Sequence, residues 1–189
     1  MLGLRKKCIS ADEYFEIEEI AEYKSEYYHG EIFAMSGASF NHNVIAGNVL
    51  ADLHLALRNS DCFVFGSDMK VQMEEAEYYV YPDISIVCGD IRFAPRRNDT
   101  ITNPIVVIEI LSESTQEYDR GLKLRSYLKI PSLKDYILID QYSYHVEYFF
   151  KNEYHQWASE SFESSDDRLI LRSVDVGLSL KTIYHRVKF

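Results

Sequence analysis

The stretch PIVVIEILS, Pro104 to Ser112, sets a single carboxylate, Glu109, inside a run of strand-forming apolar residues. Val106, Val107, Ile108 and Ile110 show no polar alternation, so the run reads as a strand buried on both faces. Such strands belong to sheets covered by helices, which points to an α/β fold with Glu109 near the C-terminal end of a central strand. An ionised carboxylate there is costly unless it is paired or coordinates a cation. Two explanations stay open: Glu109 emerges past the protected part of the strand or meets an arginine, or it helps to hold a metal.

The segment before it carries a second anomaly. In YVYPDISIV, Pro82 cannot donate to a ladder and favours a strand start or an edge, setting Asp83 where the apolar alternation of Ile84 and Ile86 begins. Pro-Asp is also an ordinary turn pair. Two adjacent strands with one acid each would bring both carboxylates to one hard divalent ion, and magnesium suits one or two carboxylates plus water and phosphate oxygens.

Downstream, STQEYDRGLKLRSYLK predicts a helix from Gln116 to Lys129, with Leu124, Tyr127 and Leu128 on the packing face and Asp119, Lys123 and Tyr127 along its flank. Lys123 either leans over the end of the Glu109 strand or forms a surface pair with Asp119 worth a few tenths of a kcal/mol. Gly121 costs ~1 kcal/mol relative to Ala in mid-helix, which a close helix–sheet approach would justify. A metal on Asp83 and Glu109 with an ammonium beside it suits phosphodiester cleavage. Carboxylates with a lysine also serve proton-transfer and Schiff-base chemistry.

The rest of the chain supplies the frame. Residues 10 to 22 combine a Ser10 N-cap with Tyr14, Phe15, Ile17 and Ile20 at helical spacing. EYYHGEIFAMSG (Glu26 to Gly37) reads as a hairpin about His29-Gly30, and Val44, Ile45, Val49, Leu53 and Leu57 form one face of a long helix. CFVFGSDMKVQM, YYVYPDISIVCG and DYILID are further strands, HVEYFFKNEYHQWASE a hairpin turning near Lys151-Asn152, RLILRS the last strand, and SLKTIYHRVKF a helix or helical turn. The order gives a mixed β-sheet flanked by helices, with a crossover from Pro104 to Asp140.

A chain of 189 residues with 47% hydrophobic content fits one domain, 1–189. MLGLRKKCIS lacks the apolar core of a secretory signal, and no apolar run approaches the ~20 residues of a membrane span, so a cytoplasmic protein is expected. Cys8, Cys62 and Cys88 are odd in number and lack CxxC spacing, which argues against disulfides and zinc and for buried small hydrophobes. His29, His54, His145, His155 and His185 show no HExxH spacing.

A net charge of −10 opposes sequence-independent attachment to nucleic acid, so any contact must be local. Two basic patches could supply it: Arg92 to Arg97, and Arg120, Lys123, Arg125, Lys129 and Lys134.

With these residues in view, the chain resembles the Uma-two (Uma2) family of restriction-endonuclease-like proteins, within the PD-(D/E)xK nuclease superfamily. The resemblance runs from EYYHGEIFAMSGASFNHNVI through YPDISIV and PIVVIEILSESTQEYDRGLKLRSYLKI to DYILID and VDVGLSLKTIY. It implies a restriction-endonuclease-like sheet flanked by helices, a Mg2+ or Mn2+ site, and hydrolysis of DNA. Asp83 matches the Asp of the PD motif and Glu109 its acidic partner. Leu111 stands where the usual lysine would be, which makes Lys123 the relocated lysine. Glu26 matches an N-terminal acid that sometimes joins the metal shell, and in isolation reads as a solvated charge. His42 sits where the family often has His, though a lone His near a helix start more often caps or packs. Asp68 would face the same cleft or be a turn carboxylate; Ser112 and Ser114 read as helix caps.

Two functions follow. One is a metal-dependent endodeoxyribonuclease with Asp83, Glu109, Lys123 and Glu26 as its working residues. The other is a non-enzymatic module on the same fold, acting as a homodimer through aromatic residues of the YHVEYFF hairpin.

Overall fold

The computed structural model describes residues 8–35, 37–73, 77–113 and 115–189, so the cap assigned to Ser114 lies outside the described residues. Helix α1 (Ala11–Ile20) starts at a capping box in which the Ser10 hydroxyl accepts from the Glu13 N–H and the Glu13 carboxylate accepts from the Ser10 N–H. Tyr14 alone of its apolar residues is fully buried, whereas Ile17 and Ile20 stand 43% and 85% exposed. Their helical spacing therefore does not mark a buried face. Strands β1 (Ser25–Tyr28) and β2 (Glu31–Ala34) turn at His29 and Gly30, both at positive φ (+44° and +88°) as a primed two-residue turn requires. Helix α2 (Phe40–Ala56) is capped by the Ser39 hydroxyl on the His42 N–H and buries Ile45, Val49 and Leu53.

The strands expected in one sheet divide between two larger sheets and a separate two-stranded hairpin. CFVFGSDMKVQM breaks into β3 (Cys62–Gly66) and β4 (Lys70–Met73), and YYVYPDISIVCG into β5 (Tyr78–Val80) and β6 (Ile84–Cys88). With β7 (Thr100–Ile101), one sheet runs β2-β1-β5-β4-β7. Strands β8 (Val106–Leu111), β9 (Asp135–Asp140), β10 (Val146–Lys151) and β11 (Trp157–Phe162) complete the other, in the order β11-β10-β9-β8-β6-β3. Pro82-Asp83 is thus the joint at which the chain leaves one sheet and enters the other. In the six-stranded sheet β8 and β9 are parallel and the other pairings antiparallel. RLILRS supplies β12 (Arg168–Leu171), but the last strand is β13 (Val176–Ser179), its hairpin partner, followed by the short α5 (Leu180–Ile183).

Both faces of β8 are covered, and they differ. Val106, Ile108 and Ile110 face α2, β13 and α5 in one apolar core with Ile45, Val49 and Leu178. Val107 and Leu111 face a second core with Val71, Tyr78, Tyr127 and Tyr136. Period-two alternation places Glu109 on this second face, between Val107 and Leu111.

The helix expected from Gln116 to Lys129 is interrupted. It consists of α3 (Gln116–Tyr118), a π-helical turn (Asp119–Lys123) and α4 (Leu124–Tyr127). Tyr127 is buried as the packing face predicts, but Asp119 and Lys123 of the flank are buried with it, whereas Leu124 and Leu128 are only partly covered. The widened turn rotates the polar residues inward. Gly121 lies in that turn with no atom within 4 Å of where a Cβ would stand, so it does not serve a close approach to the sheet.

The cysteine expectation also changes. Cys62 and Cys88 are register partners on β3 and β6 and are joined as a disulfide, while Cys8 is exposed. Twenty-six residues separate the pair in sequence, and spacing cannot reveal a contact that strand pairing creates. Among the described residues, no helix is long and apolar enough to cross a membrane.

Candidate active site

Asp83 precedes β6, and the Ile84–Ile108 pairing of antiparallel β6 and β8 brings it beside Glu109. The two residues are tied reciprocally. The Asp83 N–H donates to Glu109 Oε2 at 3.4 Å, and the N–H of Ile110 donates to Asp83 Oδ2 at 2.7 Å. His42, in the first turn of α2, sets Nε2 3.2 Å from the other Asp83 oxygen. Capping and a contact with Asp83 are thus combined in one residue: its N–H meets Ser39 and its ring meets the acid.

The π turn brings Lys123 to the same place. Its Nζ lies 2.9 Å from Glu109 Oε1, 3.0 Å from Glu26 Oε1 and 3.6 Å from Asp119 Oδ1, with the side chain 5% exposed. Three tyrosines brace these acids. Tyr127 donates to Glu109 Oε1 at 3.1 Å, Tyr118 donates to Glu26 Oε2 at 3.1 Å, and the hydroxyls of Tyr78 and Tyr118 meet. The Tyr81 N–H completes the Glu26 shell at 3.4 Å. Tyr118 also places its ring 5.8 Å from Lys123 Nζ. The spacing of five residues between them matches a π turn rather than an α-helix, which is why periodicity missed it.

Negative charge outnumbers positive in this cluster. Burial raises the Glu109 carboxyl well above its usual range, Asp119 and Asp83 push it the same way, and Lys123 pulls against them. Burial likewise raises Asp119 against the pull of Lys123. Burial alone would lower Lys123, yet Glu109 and Glu26 outweigh it and hold the ammonium well above its ordinary value. His42 behaves similarly: burial lowers it, and the hydrogen bond and charge of Asp83 more than reverse that. One ammonium shared by three carboxylates leaves an excess that a hard cation would offset.

The donor set fits magnesium or manganese. Asp83 and Glu109 are linked through the backbone N–H groups of Asp83 and Ile110, and Glu109 Oε2 accepts only the long Asp83 N–H contact among the described residues. Among the described residues no third His, Cys, Asp or Glu joins them with ligand atoms mutually within 4.8 Å; the one such trio is Asp61, Cys62 and Cys88, whose sulfurs are bonded to each other. Two carboxylates with the remaining positions left to water and phosphate is the arrangement magnesium favours.

Other expected features fall elsewhere. Asp68 is 93% exposed and pairs with Lys24, away from the carboxylates. Ser112 meets Thr115. The basic patches are reduced: Arg96 and Arg97 pair with Asp12, Glu19 and Asp99, Arg120 pairs with Glu147, and Lys123 is buried, while Arg92, Arg125 and Lys134 remain exposed. Of the aromatic residues of YHVEYFF, Tyr148 and Phe150 are buried, Phe149 is half-buried and Tyr144 is 36% exposed.

Comparison with known proteins places this geometry. The Uma2 family, described as "Putative restriction endonuclease", matches residues 11–182. An uncharacterized protein of Synechocystis sp., slr1290, is 37% identical over 184 residues, covering 96% of this chain and 94% of its own. A second from the same organism, sll1609, is 38% identical over 157 residues, covering 83% and 89%. A crystal structure from Anabaena variabilis, titled a putative nuclease, superposes with a TM-score of 0.75 at 21% identity and covers 93% of this chain and 97% of its own. The overall fold is therefore restriction-endonuclease-like.

Proposed function

The chain belongs to the Uma2 family of restriction-endonuclease-like proteins, and from that premise we propose that it is a metal-dependent endodeoxyribonuclease. Asp83 and Glu109 would hold Mg2+ or Mn2+. Such an ion, when bound, lowers the pKa of water and clamps phosphate oxygens.

The chain's own residues do the rest. Lys123 presents a fixed ammonium toward charge developing on the phosphate, and the surrounding acids keep it protonated. Glu26 and Asp119 hold that ammonium, with Tyr118 fixing Glu26. Tyr127 orients one Glu109 oxygen and leaves the other toward Asp83. His42 fixes the second oxygen of Asp83.

The observation that carries this reading is the 2.9 Å contact between Lys123 and Glu109. A lysine displaced fourteen residues along the chain from Glu109 still reaches the carboxylate beside which a nuclease of this fold needs one. The test is cleavage of single- and double-stranded DNA with Mn2+ or Mg2+ by the parent, Asp83→Ala and Glu109→Gln. Cleavage by the parent and at least ~100-fold loss per folded molecule in both variants, with circular dichroism reporting the folded fraction, supports the assignment. Equal cleavage by parent and variants would overturn it.

A further inference from the structure

A second group of residues lies along the same edge of the molecule and has no part in that chemistry. The parallel strands β8 and β9 end side by side, and the loop beyond β9 carries Tyr142 and Tyr144, which are 50% and 36% exposed. Across from it stand Phe40, the first residue of α2, and Phe189, exposed by 65% and 59%. One polar hub draws these segments together. Asn41 Nδ2 donates to the Gln141 carbonyl at 3.3 Å and to the Lys188 carbonyl at 2.9 Å, and Gln141 Nε2 donates to the Leu111 carbonyl at the end of β8. Tyr144 and Phe189 pack ring to ring with centroids 5.1 Å apart, and both lean on buried Tyr184.

The hub touches the carboxylate site from two sides. His42, next to Asn41, reaches Asp83, and Tyr142 accepts a 3.4 Å hydrogen bond from the N–H of Glu113, four residues past Glu109. Positive charge is available beside these rings. Arg186 and Lys188 are exposed, and among the described residues no carboxylate pairs with either.

Exposed rings beside unneutralised cations are the elements that hold single-stranded nucleic acid: rings stack on unpaired bases and the cations follow the phosphates. A duplex hides its base faces and would leave the rings unused. We propose that Phe40, Tyr142, Tyr144 and Phe189, with Arg186 and Lys188, form a ledge that stacks unpaired bases and delivers single-stranded DNA to the carboxylate site. The assignment of the substrate rests on the nuclease reading of that site; the binding surface itself does not.

The test is fluorescence anisotropy of a labelled oligothymidine and of a duplex of equal length, with the full chain in EDTA so that nothing is cut. The single strand should bind at least ~10-fold more tightly than the duplex. Phe40→Ala/Tyr142→Ala should weaken single-strand binding about 10-fold or more, and Arg186→Gln/Lys188→Gln should reduce its salt slope by roughly one. Circular dichroism and light scattering on each variant report fold and oligomeric state. Equal affinity for both DNA forms, or no single-strand binding, would overturn the ledge. So would a dimer of the parent that Phe40→Ala/Tyr142→Ala dissociates, since the rings would then face a second copy. Single-strand binding by a parent that cuts no DNA with either metal would sustain the ledge and sink the nuclease reading instead.

Discussion

Two buried lysines sit among carboxylates in the described residues, and their surroundings differ in charge balance. Lys70, 4% exposed at its side chain, meets Asp99 at 2.9 Å, and Arg97 grips the same carboxylate. Arg97 also reaches Glu19, so two cations there meet two acids. The Arg97 hydrogen bond outweighs burial and holds the Asp99 carboxyl well below the usual range. At Lys123 three acids share one cation, and burial, against the pull of Lys123, pushes Glu109 and Asp119 upward. Both clusters join β-strands to neighbouring segments. The first neutralises its acid fully and reads as a brace, whereas the second retains negative charge beside Asp83 and reads as a place for a cation.

The strongest way to break this contrast is catalytic. Glu109→Gln should lower DNA cleavage about 100- to 1,000-fold, while Asp99→Asn should leave cleavage per folded molecule within about twofold of the parent. Gel-based rates on folded fractions decide it, and equal losses would mean the clusters are not distinct in role.

Metal linkage is the next largest effect. Mn2+ at about 100 times its dissociation constant should raise the unfolding free energy of the parent by ~2.7 kcal/mol. Asp99→Asn should keep that increment and Glu109→Gln should lose it, as read by denaturant titration with and without the ion. An increment retained in Glu109→Gln would place the metal elsewhere.

Stability tests the first cluster by itself. Asp99→Asn leaves Lys70 buried without its carboxylate and should cost ~2 kcal/mol, less than a fully buried pair because Asp99 keeps about a third of its surface in water. Added Mn2+ should not restore it.

Acid titration sharpens the sign. A carboxyl held low in the folded state stabilises the protein fully above its unfolded value of ~3.9, and that stability disappears as pH falls through the folded value. The parent should therefore resist acid to a lower pH than Asp99→Asn when unfolding is followed by circular dichroism. Coincident acid midpoints would show that Asp99 contributes nothing.

The smallest effect concerns the brace on the site acid. Tyr127→Phe removes a buried hydrogen bond to Glu109 and should cost ~1 kcal/mol, with metal binding retained in calorimetry. A complete loss of metal binding would make the tyrosine more than an orienting group.

Much of this was legible in the chain. The apolar run around Glu109 and the proline before Asp83 marked one acid inside a buried strand and another at a strand start, because strand burial and the lack of a proline N–H are properties of local sequence. The α2 face and the His29-Gly30 turn follow from period and from positive φ in the same local way. Residue pattern with the family resemblance singled out Lys123, while pattern alone favoured a surface pair with Asp119.

Only the tertiary structure decided between those alternatives. A π turn rotates Lys123 and Asp119 inward by inserting backbone that no α-helical period anticipates, and so turns a flank into a packed face. The division of strands into separate sheets, the Cys62–Cys88 bond and the gathering of Phe40, Tyr142, Tyr144 and Phe189 join residues far apart in sequence. Local propensity cannot encode such contacts, because they depend on which surfaces are buried together once the sheets have formed.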